Sequence, residues 1–103
     1  MTKPNETALV RSCISYLQAK GIMCWRNNSG GIQKGDHFIR FGQVGSADIL
    51  GVLPVTGRML AVECKMPKGK LTEHQADWLQ RAKDSGALCI VARSLDDLMT
   101  HFE

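Results

Sequence analysis

The 103-residue chain has no apolar run of bilayer-spanning length, no low-complexity tract and no internal repeat. Those absences exclude a helical membrane protein, a disordered linker and a solenoid. The opening residues, Met1-Thr2-Lys3-Pro4-Asn5-Glu6, lead into an amphipathic segment instead of an uninterrupted apolar one. No signal peptide is expected, and the expected location is the cytoplasm. No two cysteines form a C-x-x-C pair. Cys13, Cys24, Cys64 and Cys89 are far apart and unevenly spaced, which argues against a structural zinc site. Reduced cysteines packed among apolar neighbours are expected instead.

What is present is the composition of a globular protein, 44% hydrophobic and 22% charged. At this length it suffices for one core and leaves no room for a second, so a single domain over residues 1–103 is expected. The formal net charge of +3 permits nucleic-acid binding without demonstrating it.

Leu9, Val10, Cys13, Ile14 and Leu17 recur at helical spacing between Asn5, an N-cap candidate, and Gly21, a C′ candidate. Glu6 falls on the stripe of Val10, Cys13 and Leu17, so its carboxylate is expected near the buried face at the start of that helix. Strands are predicted at 22–26, 37–41, 47–53 and 58–65. The Asn-, Ser- and Gly-rich stretch 27–36 between the first two reads as a flexible loop or wide hairpin. Thr72 and Gln75 fit a capping box opening a helix that stops near Gly86. The apolar run 87–92 reads as a buried strand, and Ser94 caps a short last helix. The expected order is α-β-β-β-β-α-β-α. This is an α/β fold with a mixed sheet: earlier strands antiparallel, and the last crossover parallel and right-handed.

Glu63 and Lys65, two apart on a strand, project from one face while Leu60, Val62 and Cys64 project from the other. An acid and a base in an apolar strand are costly to bury unless paired or metal-bound. By itself E-x-K is a common tripeptide, and an ion pair at a strand end explains it equally well. Asp48, a turn or cap residue by default, lies on the preceding strand, and a short turn lets it face Glu63 across the sheet. Two converging carboxylates make a hard oxygen site for Mg²⁺ or Mn²⁺. A nearby lysine can orient water and stabilise charge developing on a phosphate. That set of parts suits phosphodiester hydrolysis.

Asp48 followed by Glu63-Cys64-Lys65 resembles the PD-(D/E)XK nuclease signature. Within that superfamily the chain resembles the VRR-NUC (virus-type replication-repair nuclease) family over nearly its whole length. Glu6 matches the family's N-terminal glutamate. Arg26-Asn27-Asn28-Ser29-Gly30 resembles its R-x-N-S-G stretch, and Gly45-Ser46-Ala47-Asp48 its G-x-x-D motif. Gln75 matches its trailing glutamine. Ala47 precedes Asp48 where the signature carries proline, a position that varies in the superfamily.

The resemblance implies a restriction-endonuclease-like fold and roles for particular residues. Asp48 and Glu63 would ligate the metal, Cys64 would contribute its backbone carbonyl, and Glu6 would bind the metal or orient its water. Lys65 would position the nucleophilic water, and Gln75 would support it, unless the capping box alone accounts for Gln75. It further implies a Mg²⁺-dependent (or Mn²⁺-dependent) DNA endonuclease acting as a homodimer on branched DNA such as four-way junctions, in a bacterial or phage-infected cell. Arg26, Lys34, Arg40, Lys68 and Lys70, ordinary surface residues by default, would bind the phosphate backbone if clustered around the site. No recognition-helix motif or zinc finger is present, so shape-based recognition is expected. Two other readings stand beside this one: a sequence-specific restriction-type enzyme, and a non-catalytic nucleic-acid-binding or assembly module that keeps the fold. Intact acidic residues argue against the second.

Overall fold

The computed structural model describes residues 5–103, so Met1 to Pro4, where a leader was sought, lie outside it. Helix α1 (Glu6–Ala19) starts at Asn5, whose side chain accepts from the Ala8 N–H at 2.7 Å. It ends before Gly21, which adopts φ +79°, a left-handed conformation that favours glycine. Five strands follow: β1 (Met23–Arg26), β2 (Gly30–Lys34), β3 (His37–Phe41), β4 (Ile49–Val52) and β5 (Met59–Cys64). The chain closes with α2 (Glu73–Asp84), β6 (Leu88–Ala92) and α3 (Leu95–Met99).

One sheet has the order β1-β4-β5-β6. β1 and β5 each pair antiparallel with β4, while β6 pairs parallel with β5 across the α2 crossover. The sheet is mixed and flanked by helices, as the pattern of elements predicts. β5 is central, and its alternation divides the molecule. Leu60, Val62 and Cys64 face Val10, Cys13 and Leu17 of α1 and Leu98 of α3 in the larger core. Ala61 faces the other way, into a smaller core with Ala47, Trp78 and Leu79. Burying these side chains contributes about 1.5–3 kcal/mol for each of the larger ones. Glu63 and Lys65 continue the Ala61 phase, so they lie on the α2 face.

The observed order has one strand more than expected. The stretch 27–36, read as a loop or wide hairpin, contains β2, which pairs with β3 around the turn at Gly35-Asp36. Its glycines disguise it, because the strand is defined by its partner and not by its own propensity. The 37–41 strand in turn joins β2 and not the main sheet; the two form a separate two-stranded sheet. The 47–53 strand is also shorter than read, and Asp48 stands just before it.

Candidate active site

The site forms where β5 leaves the sheet. Glu63 is 2% exposed and Lys65 8%. Lys65 continues the pairing with β6, its N–H donating to the Ala92 carbonyl at 3.0 Å. The β4–β5 register pairs Ile49 with Val62, which brings Asp48 opposite Glu63. The Asp48 carboxylate reaches across: Oδ2 accepts from the Cys64 N–H at 2.8 Å. The Lys65 ammonium stands 4.0 Å from Glu63 Oε2. Gln75 donates from Nε2 to the same oxygen at 3.3 Å.

Gln75 completes the capping box and also bonds Glu63. Its Oε1 accepts from the Thr72 N–H at 2.9 Å while Thr72 Oγ1 accepts from the Gln75 N–H at 3.1 Å, completing the capping box. One end of the amide starts α2 and the other holds Glu63.

Glu63 Oε1 is buried without a hydrogen-bond partner among the described residues. Burial, chiefly, and the neighbouring Asp48 carboxylate push the Glu63 carboxyl up to about 8, against a partial offset from Lys65. The Asp48 charge beside the buried Glu63 carboxyl disfavours ionisation of Glu63. The Cys64 thiol is pushed far above its usual range, first by its contact with the Cys13 thiol and then by burial. It stays a thiol and has no nucleophilic character.

Glu6 departs from its expected place. It is exposed, because α1 packs on the opposite face of the sheet and its first turn projects beyond the buried stripe that begins at Val10. Its charge still reaches the site, as the smallest of the influences raising Glu63. Among the described residues no three His, Cys, Asp or Glu side chains close on one point. The carboxylates that face each other at the site are those of Asp48 and Glu63. An unpartnered buried carboxylate oxygen and a raised acid beside a second carboxylate fit a small divalent cation, which would neutralise both.

Of the basic residues, Arg26 ends β1 beside Ile49, Lys34 and Arg40 lie on the β2–β3 hairpin, and Lys68 and Lys70 follow β5; all are exposed. Asp48 and Glu63 line neither of the two main surface cavities, one beside Trp78 and one beside Leu9.

Four further contributors, Arg93, Asn27, Ser46 and Gly45, were not among the expected site residues. Arg93 donates to the Met66 carbonyl at 2.9 Å and also to that of Gly69, fixing the turn that runs over the Lys65 stem. Asn27 Nδ2 donates to Ser46 Oγ at 2.8 Å and the Ala47 carbonyl at 2.9 Å, and Ser46 Oγ donates to the Gln43 carbonyl at 2.7 Å. This network fixes the segment that carries Asp48. Gly45, at φ +81°, lies where a Cβ would stand 2.3 Å from the His74 carbonyl oxygen. Only glycine lets this loop touch the first turn of α2. The loop motif was visible in the sequence, but the partner that demands its glycine was not.

A mixed sheet with an acidic pair and a lysine at the end of its central strand is a fold of the nuclease type. The VRR-NUC domain model matches residues 32–96, more than half of the chain. The chain belongs to the VRR-NUC family. The matched span holds Asp48, Glu63, Lys65 and Gln75, while Glu6 and Arg26 precede it. A solved structure described as a VRR_NUC domain is similar in fold, with a TM-score of 0.68 and 22% identity over 95% of this chain and 97% of that one. No curated protein matches the chain. No helix among the described residues is long and apolar enough to cross a membrane.

Proposed function

We propose that the protein is a divalent-metal-dependent DNA endonuclease that hydrolyses phosphodiester bonds. The observation that carries this reading is the Glu63 carboxylate, buried with one oxygen unpartnered beside Asp48 and Lys65. Asp48 and Glu63 would hold Mg²⁺ or Mn²⁺, with the Cys64 carbonyl beside them and the more exposed Glu6 at the rim. The cation would supply Lewis-acid polarisation of the phosphate and a more acidic water.

The protein's own groups do the rest. Gln75 and the Cys64 N–H fix the two carboxylates in place before substrate arrives, so little reorganisation accompanies the reaction. The Lys65 ammonium, held against solvent by the 66–69 turn, orients the attacking water and stabilises negative charge building on the phosphate oxygens. Attack at phosphorus forms one P–O bond and breaks another. The proton lost by the attacking water passes to bulk solvent, and the departing oxygen takes its proton from a solvent water, so that one water is consumed in all. Arg26, Lys34, Arg40, Lys68 and Lys70 hold the backbone on either side, a contribution to affinity that reads no sequence.

One small chain offers one such site, so paired incisions need two copies. The reading extends to a homodimer acting on branched DNA. The test is a panel of four-way junction, flap, linear duplex and single-stranded substrates with Mg²⁺. The expected result is cleavage of branched forms by the wild-type protein and none by Glu63→Gln. Tight binding without cleavage of any form under Mg²⁺ or Mn²⁺ would overturn it in favour of a non-catalytic module.

A further inference from the structure

We propose that the β2–β3 hairpin is a stacking arm for unpaired bases of the nucleic-acid strand near the active site, with the Phe38 ring as its platform. The inference rests on the DNA-binding reading above but concerns a different surface.

The hairpin is rooted at the site. The Asn27 N–H donates to the Asp48 carbonyl at 2.7 Å. The returning leg passes so close that a Cβ on Gly42 would stand 2.5 Å from the Asn28 carbonyl oxygen. From that root the arm leaves the body of the protein. All ten residues of its two strands are exposed, and they pair only with each other. An isolated two-stranded hairpin is marginal by itself, so exposed apolar groups on it call for a reason.

The two faces differ. One carries the Ile32–Ile39 pair and Phe41. The other carries Phe38 among Gln33, Gly31 and Arg40. On that second face the Phe38 ring lies across bare glycine backbone: a Cβ on Gly31 would stand 2.2 Å from its tip. The Arg40 guanidinium lies over the ring, 5.5 Å from its centroid, and Phe38 is 57% exposed. A ring seated from below, with a mobile cation over it and polar groups around it, is suited to stacking a planar base once the guanidinium turns from the ring to the phosphate. Charge agrees: residues 30–41 carry Lys34 and Arg40 against Asp36 alone, with Arg40 on the face of Phe38 and Lys34 on the other. An aliphatic protein partner would favour the Ile32–Ile39 face instead. At about 3.3 Å per residue, Phe38 lies roughly 10 Å along the strand from its root at Phe41.

The test uses oligonucleotides carrying 2-aminopurine in an unpaired stretch, titrated in EDTA so that nothing is cut. Wild-type protein is expected to change the probe's fluorescence on binding. Phe38→Ala is expected to abolish that change and weaken binding to the unpaired substrate about tenfold, with blunt duplex affected less than twofold. Phe38→Tyr should restore both signals, and Phe38→Leu, which is apolar but not planar, should not. Gly31→Ala keeps Phe38 but unseats its ring, and should reproduce the loss. Equal weakening on duplex and unpaired DNA, or full function of Phe38→Leu, would overturn the proposal. So would dissociation of a dimer by Phe38→Ala in sedimentation, since a second copy would then occupy the face. A wild-type protein that cuts DNA yet gives no probe response would sink this inference alone. A probe response without any cleavage would sink the nuclease reading alone.

Discussion

Glu63 is held by one oxygen and unsatisfied at the other, and its raised carboxyl sets a pH signature. In an unfolded chain a glutamate titrates near 4.5, whereas here it is pushed up to about 8. The folded state therefore binds the proton more tightly, and its stabilising contribution is complete below about pH 4.5. That contribution is lost as pH rises through about 8. In the metal-free protein Glu63→Gln is expected to flatten the slope of Tm against pH between these limits. At pH 8 and above the variant should gain on the order of 1 kcal/mol, since the charge it removes is buried and repelled. Thermal melts across pH in EDTA check this; an unchanged slope would show that Glu63 is not the raised group. Asp48 behaves differently. Its Oδ2 satisfies the Cys64 N–H, so relief of repulsion is not the whole effect of removing it. Asp48→Ala strands that donor at a cost of about 1–3 kcal/mol. Asp48→Asn keeps an acceptor, and the melt of Asp48→Asn is expected above that of Asp48→Ala.

At the scale of elements, the site depends on two contacts between segments distant in sequence: the 42–46 loop against α2, and Arg93 over the 66–69 turn. Gly45→Ala places a methyl on the His74 carbonyl in a conformation that already disfavours alanine. About 2 kcal/mol of stability is expected to be lost, near 10 °C in Tm for a chain of this size. Gln75 follows the displaced turn, so cleavage should fall with it. A Gly45→Ala variant with wild-type Tm would contradict the close approach. The same contacts explain what the sequence made legible. Glu63, Lys65 and Asp48 could be placed because strand alternation and a short hairpin are local rules, and the buried 87–92 run announced the parallel partner. Gln75 showed only its capping signature with certainty, since its second bond goes to a residue on another element. Arg93 and Asn27 act through partners 19 to 27 residues away, beyond any periodicity. β2 was hidden because Gly30 and Gly31 carry no strand propensity, and it is their pairing with Phe41 and Arg40 of β3 that makes them part of a strand. Glu6 was placed on the right stripe, but a stripe does not say where the sheet beneath it ends.

Taken whole, the molecule divides its work between the two faces of one sheet. α1 and α3 close an apolar core on one side, while α2 leaves the acidic pair and Lys65 at the edge of a small second core. The basic residues sit on the hairpin, at the end of β1 and in the turn after β5. Neutralising Lys68 or Lys70 is expected to weaken binding to all DNA shapes alike. It should also lower the slope of log affinity against log salt by about one unit; a loss confined to one shape, or an unchanged slope, would remove that turn from the phosphate contacts.

The central claim is that Asp48 and Glu63 together hold a divalent cation, and metal-dependent thermal stabilisation tests it most directly. Wild-type protein, Glu63→Gln and Asp48→Asn are melted with and without Mg²⁺ or Mn²⁺ at pH 6 and pH 8.5. Linkage predicts that the metal raises the wild-type Tm, and more so at the higher pH, where the cation no longer competes with the Glu63 proton. Both variants should lose most of that rise. Equal stabilisation of all three proteins, or none of the wild type at either pH, would contradict the account.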